Sequence, residues 1–121
     1  MKTALLGLTL ALMLPVSAHA AWHAIMVSGD DSIDNFDNSR KVLGELFAAK
    51  GLAAANQHHL NSQFPDPMMQ HDDQASLWGL TRSFSALNIR PEQDACLFYV
   101  SSHGKKGDGV YMKRAHDGQL P

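Results

Sequence analysis

The chain has 121 residues, of which 45% are hydrophobic and 18% charged, and its formal net charge is −2. This length suits one small domain, and the lack of a basic excess argues against nucleic acid as a partner. The single cysteine, Cys96, excludes an internal disulfide, and its position at the start of an apolar run predicts a buried, inert thiol.

The first twenty residues have the pattern of a targeting segment. Lys2 provides the positive start, Ala4 to Leu14 are apolar, Pro15 interrupts them, and Ala18-His-Ala20 is a small-x-small cleavage site. We therefore predict a signal peptide at residues 1–20 and a mature domain at 21–121, periplasmic or secreted. The apolar stretch is too short to span a bilayer, and no cysteine follows it to carry a lipid, so we expect no membrane anchor in the mature chain.

The mature chain begins with a predicted strand, Trp22 to Ser28, which Gly29 ends. A polar loop with three aspartates follows, at residues 30–34. From about residue 35 to 50 the apolar residues have helical spacing, and Gly51 is placed as a C-terminal cap. We expect that apolar face to pack in the core; it comprises Phe36, Val42, Leu43, Leu46 and Phe47.

A weaker second strand is predicted at Leu52 to Leu60, followed by a proline-containing loop at residues 62–67. Asp72 or Asp73 can cap the next helix, which stops before Pro91. Its apolar face is also expected to be core and comprises Leu77, Leu80, Phe84 and Leu87.

The third predicted strand is the apolar run from about Ala95 to Ser102, which ends in His103 and Gly104. A turn at residues 107–109 and a short returning strand at 110–112 follow. The order βαβαβ predicts a three-layer α/β fold with a parallel sheet. The loops after the first and third strands then meet at one sheet edge, so Asn35 and His103 could be neighbours.

His103 is the leading candidate for chemistry. A histidine at a rigid strand end can act as a general base, and the amide of Gly104 could face a developing oxyanion. The alternative is an ordinary loop histidine. The histidines at 58, 59 and 71 with the aspartates at 72 and 73 match no metal-ligand spacing, and a solvated polar face explains them better.

The segment from the apolar strand through Ser102-His-Gly104 to the glycine-rich hairpin resembles the histidine block of caspase-like cysteine peptidases. Ala24-Ile-Met-Val-Ser-Gly29 and the following Asp-Asp-Ser-Ile-Asp-Asn-Phe-Asp-Asn-Ser-Arg40 are similar to the first strand, active-site loop and first helix of the legumain-like C13 family. The resemblance covers the mature chain. It implies a caspase-like sheet that is incomplete at the C-terminus, peptide or protein substrates, and no cofactor.

Residue by residue, the resemblance implies that His103 is the catalytic histidine, Gly104 an oxyanion-hole glycine and Asn35 a group that orients the histidine. Asp37 lies about where legumains place an arginine that recognises an acidic P1 side chain. This departure puts Asp/Asn specificity in doubt, and an acidic residue there could favour a basic or neutral P1.

The family's nucleophilic cysteine follows the histidine by a few tens of residues, on a strand beyond Pro121. Cys96 cannot replace it, because it lies seven residues before His103 on the same predicted strand, or roughly 23 Å at about 3.3 Å per residue. We therefore expect the 121-residue chain alone to be inactive, either as a fragment of a peptidase or as a truncated product. Alternatives are a catalytically inactive caspase-like module that binds peptides or proteins, and an unrelated exported α/β binding domain.

Overall fold

The computed structural model describes residues 20–63, 72–107 and 109–115. Several sequence predictions lie outside these ranges, namely most of the signal peptide, most of the proline-containing loop and His71. Among the described residues, no helix is long and apolar enough to cross a membrane.

The described chain alternates strands and helices, as an α/β protein does. In chain order it contains β1 (Trp22–Ser28), α1 (Asp34–Ala49), a 3₁₀ turn (Ala54–Asn56), β2 (Gln57–Asn61), β3 (Asp72–Gln74), α2 (Leu77–Ala86), β4 (Ala95–Ser101), β5 (Gly104–Lys105) and β6 (Gly109–Val110). The α/β class predicted from the sequence is confirmed, and so are the first strand, the first helix and the apolar strand before His103.

Strands β1 to β4 form one parallel sheet in the order β3-β2-β1-β4, and β5 and β6 form a separate antiparallel hairpin. The chain leaves β1 towards β2 and later returns to β4 on the opposite side of β1. Ser28 and Ser101, the last residues of β1 and β4, are register partners. In α/β proteins, a reversal of this kind marks the place where ligands bind, beyond the carboxyl ends of the strands, here β1 and β4.

The two helices cover opposite faces of the sheet. On one face, Leu80 and Leu87 pack against a fully buried cluster of Ile25, Val27 and Leu60. Each of these buried aliphatic side chains contributes about 1.5–3 kcal/mol by leaving water. On the other face, the side chain of Arg40 in α1 reaches His59 of β2. Side chains alternate along a strand, so Leu60 and His59 project to different faces and the fold has three layers.

The prediction that α1 packs through its apolar face is only partly right, because Phe36, Leu43 and Phe47 are half-buried and none of the five residues is fully buried. Its buried residues are Asp37, Arg40 and Gly44, whereas Val42 is 64% exposed and Leu46 50% exposed. The reason is a close helix–sheet contact: a Cβ at position 44 would lie 2.5 Å from Cε1 of His59. The missing side chain lets α1 approach the sheet, and Arg40 satisfies the buried polar groups there.

The predicted start of the second strand and the cap of the second helix also need correction. Residues 54–56 form a 3₁₀ turn, so β2 begins at Gln57 and not at Leu52. The cap of α2 is Ser76, whose hydroxyl accepts a hydrogen bond from the Gly79 amide at 3.0 Å. Asp72 and Asp73 do not cap that helix, because they pair with β2 as part of β3.

Cys96 is exposed, contrary to the sequence prediction. Within the described ranges β4 is an edge strand, so no further strand flanks Cys96 on that side. The face that Cys96 shares with Phe98 is also thinly covered, since Phe84 of α2 contacts Phe98 but both residues remain 49% exposed. The second helix therefore does not bury its whole apolar face either.

Candidate active site at the carboxyl ends of β1 and β4

Beyond β1 and β4, backbone hydrogen bonds join loops that are far apart in sequence. The Gly29 amide donates to the Ser101 carbonyl at 3.0 Å, and the Lys113 amide donates to the Gly29 carbonyl at 2.8 Å. Any side chain at position 29 would collide with this structure, because a Cβ there would lie 2.8 Å from the Tyr111 carbonyl oxygen. Glycine at this position allows the three segments to meet.

His103 lies directly after β4 at this end of the sheet, with 56% of its side chain exposed. Its Nε2 atom is 3.2 Å from the Ser32 hydroxyl and 3.6 Å from Oδ2 of Asp30. The Phe36 ring contacts the imidazole edge to face, with ring centroids 4.9 Å apart. The loop after β1 and the first turn of α1 therefore hold the ring from one side and leave much of it open to solvent.

Asp30 is the buried member of this group, with 5% of its surface exposed. Its Oδ1 accepts from the Ser32 amide at 3.0 Å, and its Oδ2 accepts from the Ser32 hydroxyl at 2.9 Å. Burial alone would raise the pKa of Asp30. The hydrogen bonds from Ser32, the nearby His103 and the Asp31 amide outweigh that effect and hold the pKa below its ordinary value. Asp30 is therefore a carboxylate at neutral pH.

Gly104 begins the hairpin that follows His103. The Tyr111 amide donates to the His103 carbonyl at 2.8 Å, and Gly104 is paired with Val110. Gly104 and Val110 therefore form a non-hydrogen-bonded pair, whose N–H and C=O groups point away from the partner strand. The space where a Cβ of Gly104 would stand is open. The hairpin ladder therefore does not use the Gly104 amide.

Asn35 is exposed in the first turn of α1, next to Phe36, which contacts the imidazole. Within the part of the chain that the structure describes, no hydrogen bond joins Asn35 to His103. Asn35 instead lines a cavity of about 410 Å³ together with Tyr99 and the exposed side of α1. The contact of Phe36 places the first turn of α1, to which Asn35 belongs, beside His103. The orienting role of Asn35 stays a prediction.

Asp37 is 6% exposed, and its carboxylate faces its own helix. Oδ1 lies 2.8 Å from NH2 and 2.9 Å from Nε of Arg40, and Oδ2 lies 2.7 Å from Nζ of Lys41. Both oxygens are engaged by basic residues of α1. This environment favours a structural role, and we do not carry the substrate-binding prediction for Asp37 into the functional proposal.

Sequence reasoning missed Asp30 and Ser32 as the groups that contact the histidine. The signal was present, because an aspartate followed two residues later by serine is typical of an Asx-turn, in which the side chain accepts from that later amide.

An ion pair between Lys113 and Asp31 also joins the loop after β1 to the segment after the hairpin. Within residues 20–63, 72–107 and 109–115, no three histidine, cysteine, aspartate or glutamate side chains form a group that could hold a metal ion.

Comparisons of the chain with protein-family models, with curated proteins and with solved structures found no match.

Proposed function

We infer that this chain is the part of an exported, caspase-like cysteine peptidase that carries the catalytic histidine. The reaction is hydrolysis of peptide bonds in a peptide or protein substrate. His103 is the general base, Gly104 an oxyanion donor and Asn35 a residue of the histidine's surroundings. The nucleophile is a cysteine outside these 121 residues, because Cys96 lies at the start of β4 and His103 follows its end.

The proposed chemistry has two stages. His103 takes the proton of the nucleophilic thiol, and the thiolate attacks the substrate carbonyl carbon. The carbonyl oxygen becomes an oxyanion that the Gly104 amide stabilises, and the amine then leaves with the proton from His103. A water molecule, deprotonated by His103, hydrolyses the resulting thioester and regenerates the thiol.

The position of His103 is the observation that carries this proposal. The imidazole lies beyond a switch in strand order, where α/β sheets bind ligands. It is held by Ser32 and Phe36 and is half exposed. A histidine of purely structural use would be expected to bury its ring or to use both ring nitrogens. The Gly104 amide, which points away from β6, supplies the second group that acyl transfer requires.

The test uses the polypeptide encoded by the complete reading frame, purified after export. It should hydrolyse members of a mixed fluorogenic peptide library and lose that activity on treatment with iodoacetamide. His103→Ala should lower kcat/KM by at least about 10²-fold, the usual contribution of a general base. His58→Ala is the matched control, since His58 lies within β2, in register with Ile25 of β1, and should retain activity.

Retained hydrolysis in His103→Ala would reject the assigned role. Absence of hydrolysis in the wild type, combined with saturable peptide binding, would favour a non-catalytic peptide-binding module instead.

A further inference from the structure

We propose that Asp30 and Ser32 are positioning residues that fix His103 in the tautomer protonated on Nε2, so that Nδ1 is the nitrogen that accepts the nucleophile's proton. The catalytic consequence rests on the function proposed above. The tautomer itself follows from the geometry of three side chains and is measurable without any substrate.

The number of protons available between Ser32, Asp30 and His103 decides the tautomer. The Ser32 oxygen lies 2.9 Å from Oδ2 of Asp30 and 3.2 Å from Nε2 of His103. A hydroxyl has one proton to donate, and an ionised carboxylate can only accept. The Ser32 proton therefore goes to Asp30. The remaining contact is a hydrogen bond only if Nε2 of His103 carries a proton and donates it to the Ser32 oxygen.

The electrostatics point the same way. Oδ2 of Asp30 is 3.6 Å from the same ring nitrogen, and a negative charge there favours a proton on that nitrogen. A neutral imidazole protonated on Nε2 has its lone pair on Nδ1. Among the described residues, Nδ1 of His103 has no hydrogen-bond partner, so it can accept a proton from a group that approaches on the open side.

The same count excludes Ser32 as a nucleophile. In a serine hydrolase the serine donates to the histidine, and the aspartate contacts the other ring nitrogen. Here the serine donates to the aspartate, and both approach Nε2. Asp30, Ser32 and His103 therefore resemble a serine-hydrolase triad in composition only. Their arrangement orients a base for a nucleophile that comes from elsewhere.

Replacing Asp30 by asparagine should invert the tautomer. The carbonyl oxygen of the introduced side chain can keep the hydrogen bond from the Ser32 amide, which places the amide NH2 group where Oδ2 stood. That NH2 group donates to the Ser32 oxygen, and the Ser32 proton is then free for Nε2 of His103. Ser32→Ala should behave differently, because Asp30 stays close enough to favour the proton on Nε2.

The experiment is a ¹⁵N NMR measurement of the histidine rings in the full-length protein labelled with ¹⁵N-histidine, at a pH where the imidazoles are neutral. The His103 signals are assigned by their loss in His103→Gln. We expect Nε2 to be protonated in the wild type and in Ser32→Ala. In Asp30→Asn the ratio of Nε2–H to Nδ1–H should fall at least five-fold, which corresponds to about 1 kcal/mol, the usual value of one hydrogen bond. Ser39→Ala, a serine whose hydroxyl donates to the Asn35 carbonyl, is the control and should not alter the ratio.

A wild-type His103 protonated on Nδ1, or a ratio unchanged by Asp30→Asn, would overturn the proposal. If the full-length protein hydrolyses peptides, Asp30→Asn should also lower kcat, by up to about 10⁴-fold as for a wrong tautomer in a serine protease, while KM changes little. If it does not hydrolyse peptides, the NMR result still decides the tautomer. Failure of the proposed function and failure of this inference are therefore distinguishable.

Discussion

Asp37 offers a direct test of whether an acidic side chain in the first helix serves substrate binding or the fold. Its carboxylate accepts two hydrogen bonds from Arg40 and one from Lys41. Arg40 is fully buried, and its NH1 group also donates to Nδ1 of His59 at 2.9 Å. In Asp37→Ala, Arg40 keeps the contact with His59 but loses both contacts with the Asp37 carboxylate.

The expected cost can be estimated from burial. Removing one partner of a buried ion pair usually destabilises a protein by about 3–5 kcal/mol. The bridge to Lys41, whose side chain is 36% exposed, adds at most about 1 kcal/mol. Small domains have free energies of unfolding of about 5–15 kcal/mol, so this single change removes a large part of the total.

Urea unfolding followed by circular dichroism measures this cost. With a slope of about 2 kcal/mol per molar urea, a loss of about 4 kcal/mol lowers the midpoint by about 2 M. Asp34→Ala is the control, because Asp34 is an exposed acidic residue in the first turn of the same helix and should cost about 0.3–1 kcal/mol. A loss below about 1 kcal/mol in Asp37→Ala, the range of an exposed pair, or a loss equal to the control, would refute the structural role.

Three further changes test other parts of the fold. Gly29→Ala should lower the free energy of unfolding by about 1–3 kcal/mol, because its Cβ would lie 2.8 Å from the Tyr111 carbonyl oxygen; urea midpoints that match the wild type would contradict this. The Arg90 side chain, followed by backbone amides, holds the pKa of Asp94 well below its ordinary value of 3.8. The ionised Asp94 therefore stabilises the fold above about pH 4, and this contribution disappears as the pH falls below that value. The stability difference between wild type and Asp94→Asn should be largest at neutral pH and shrink in acid. A pH-independent difference would oppose this. Glu92 has φ 71°, a conformation that disfavours side chains, so Glu92→Gly should raise the free energy of unfolding by up to about 1 kcal/mol; a lowered urea midpoint would argue against strain at that turn.

The strands and their common edge could be predicted from the sequence because apolar runs with sharp polar boundaries specify buried parallel strands. β1 and β4 are such runs and each ends at a serine, but only β1 is buried, from His23 to Ser28. Within the described ranges β4 is an edge strand whose residues are half-buried or exposed. The order of elements then brings the loop after β1 to His103 without any knowledge of side-chain contacts. Topology alone therefore brought the loop after β1 and the first turn of α1, which contains Asn35, beside His103.

The packing of α1 could not be predicted from its apolar spacing. The face that is buried consists of Asp37, Arg40 and Gly44, because His59 and Gln57 on β2 present polar groups to the helix. Periodicity assumes that the opposing surface is apolar, and here it is not. Hydrogen bonding across the helix–sheet contact, from Arg40 to His59, accompanies this orientation, and it depends on a residue of a different element.

The contacts of His103 were missed for a different reason. Asp30 and Ser32 lie in a short polar loop that contains three aspartates, of which only Asp30 is followed two residues later by serine. The choice follows from the turn geometry, since the Ser32 amide and hydroxyl both donate to Asp30 and draw it inward. A loop's side-chain hydrogen bonds can be proposed from an Asx-turn pattern, but the approach of Ser32 to a residue 71 positions away requires coordinates.

The proposed activation of a cysteine thiol by His103 can be measured as the pH dependence of cysteine alkylation. The protein used is the polypeptide of the complete reading frame. Each cysteine is followed separately by peptide mapping after brief exposure to iodoacetamide. We expect one cysteine to be alkylated well below about pH 8.5, the ordinary pKa of a free thiol. In His103→Ala the pH profile of its alkylation should move up to that value. Cys96 is exposed and remote from His103, and it should react identically in both proteins. Identical profiles for every cysteine in the two proteins would contradict the claim.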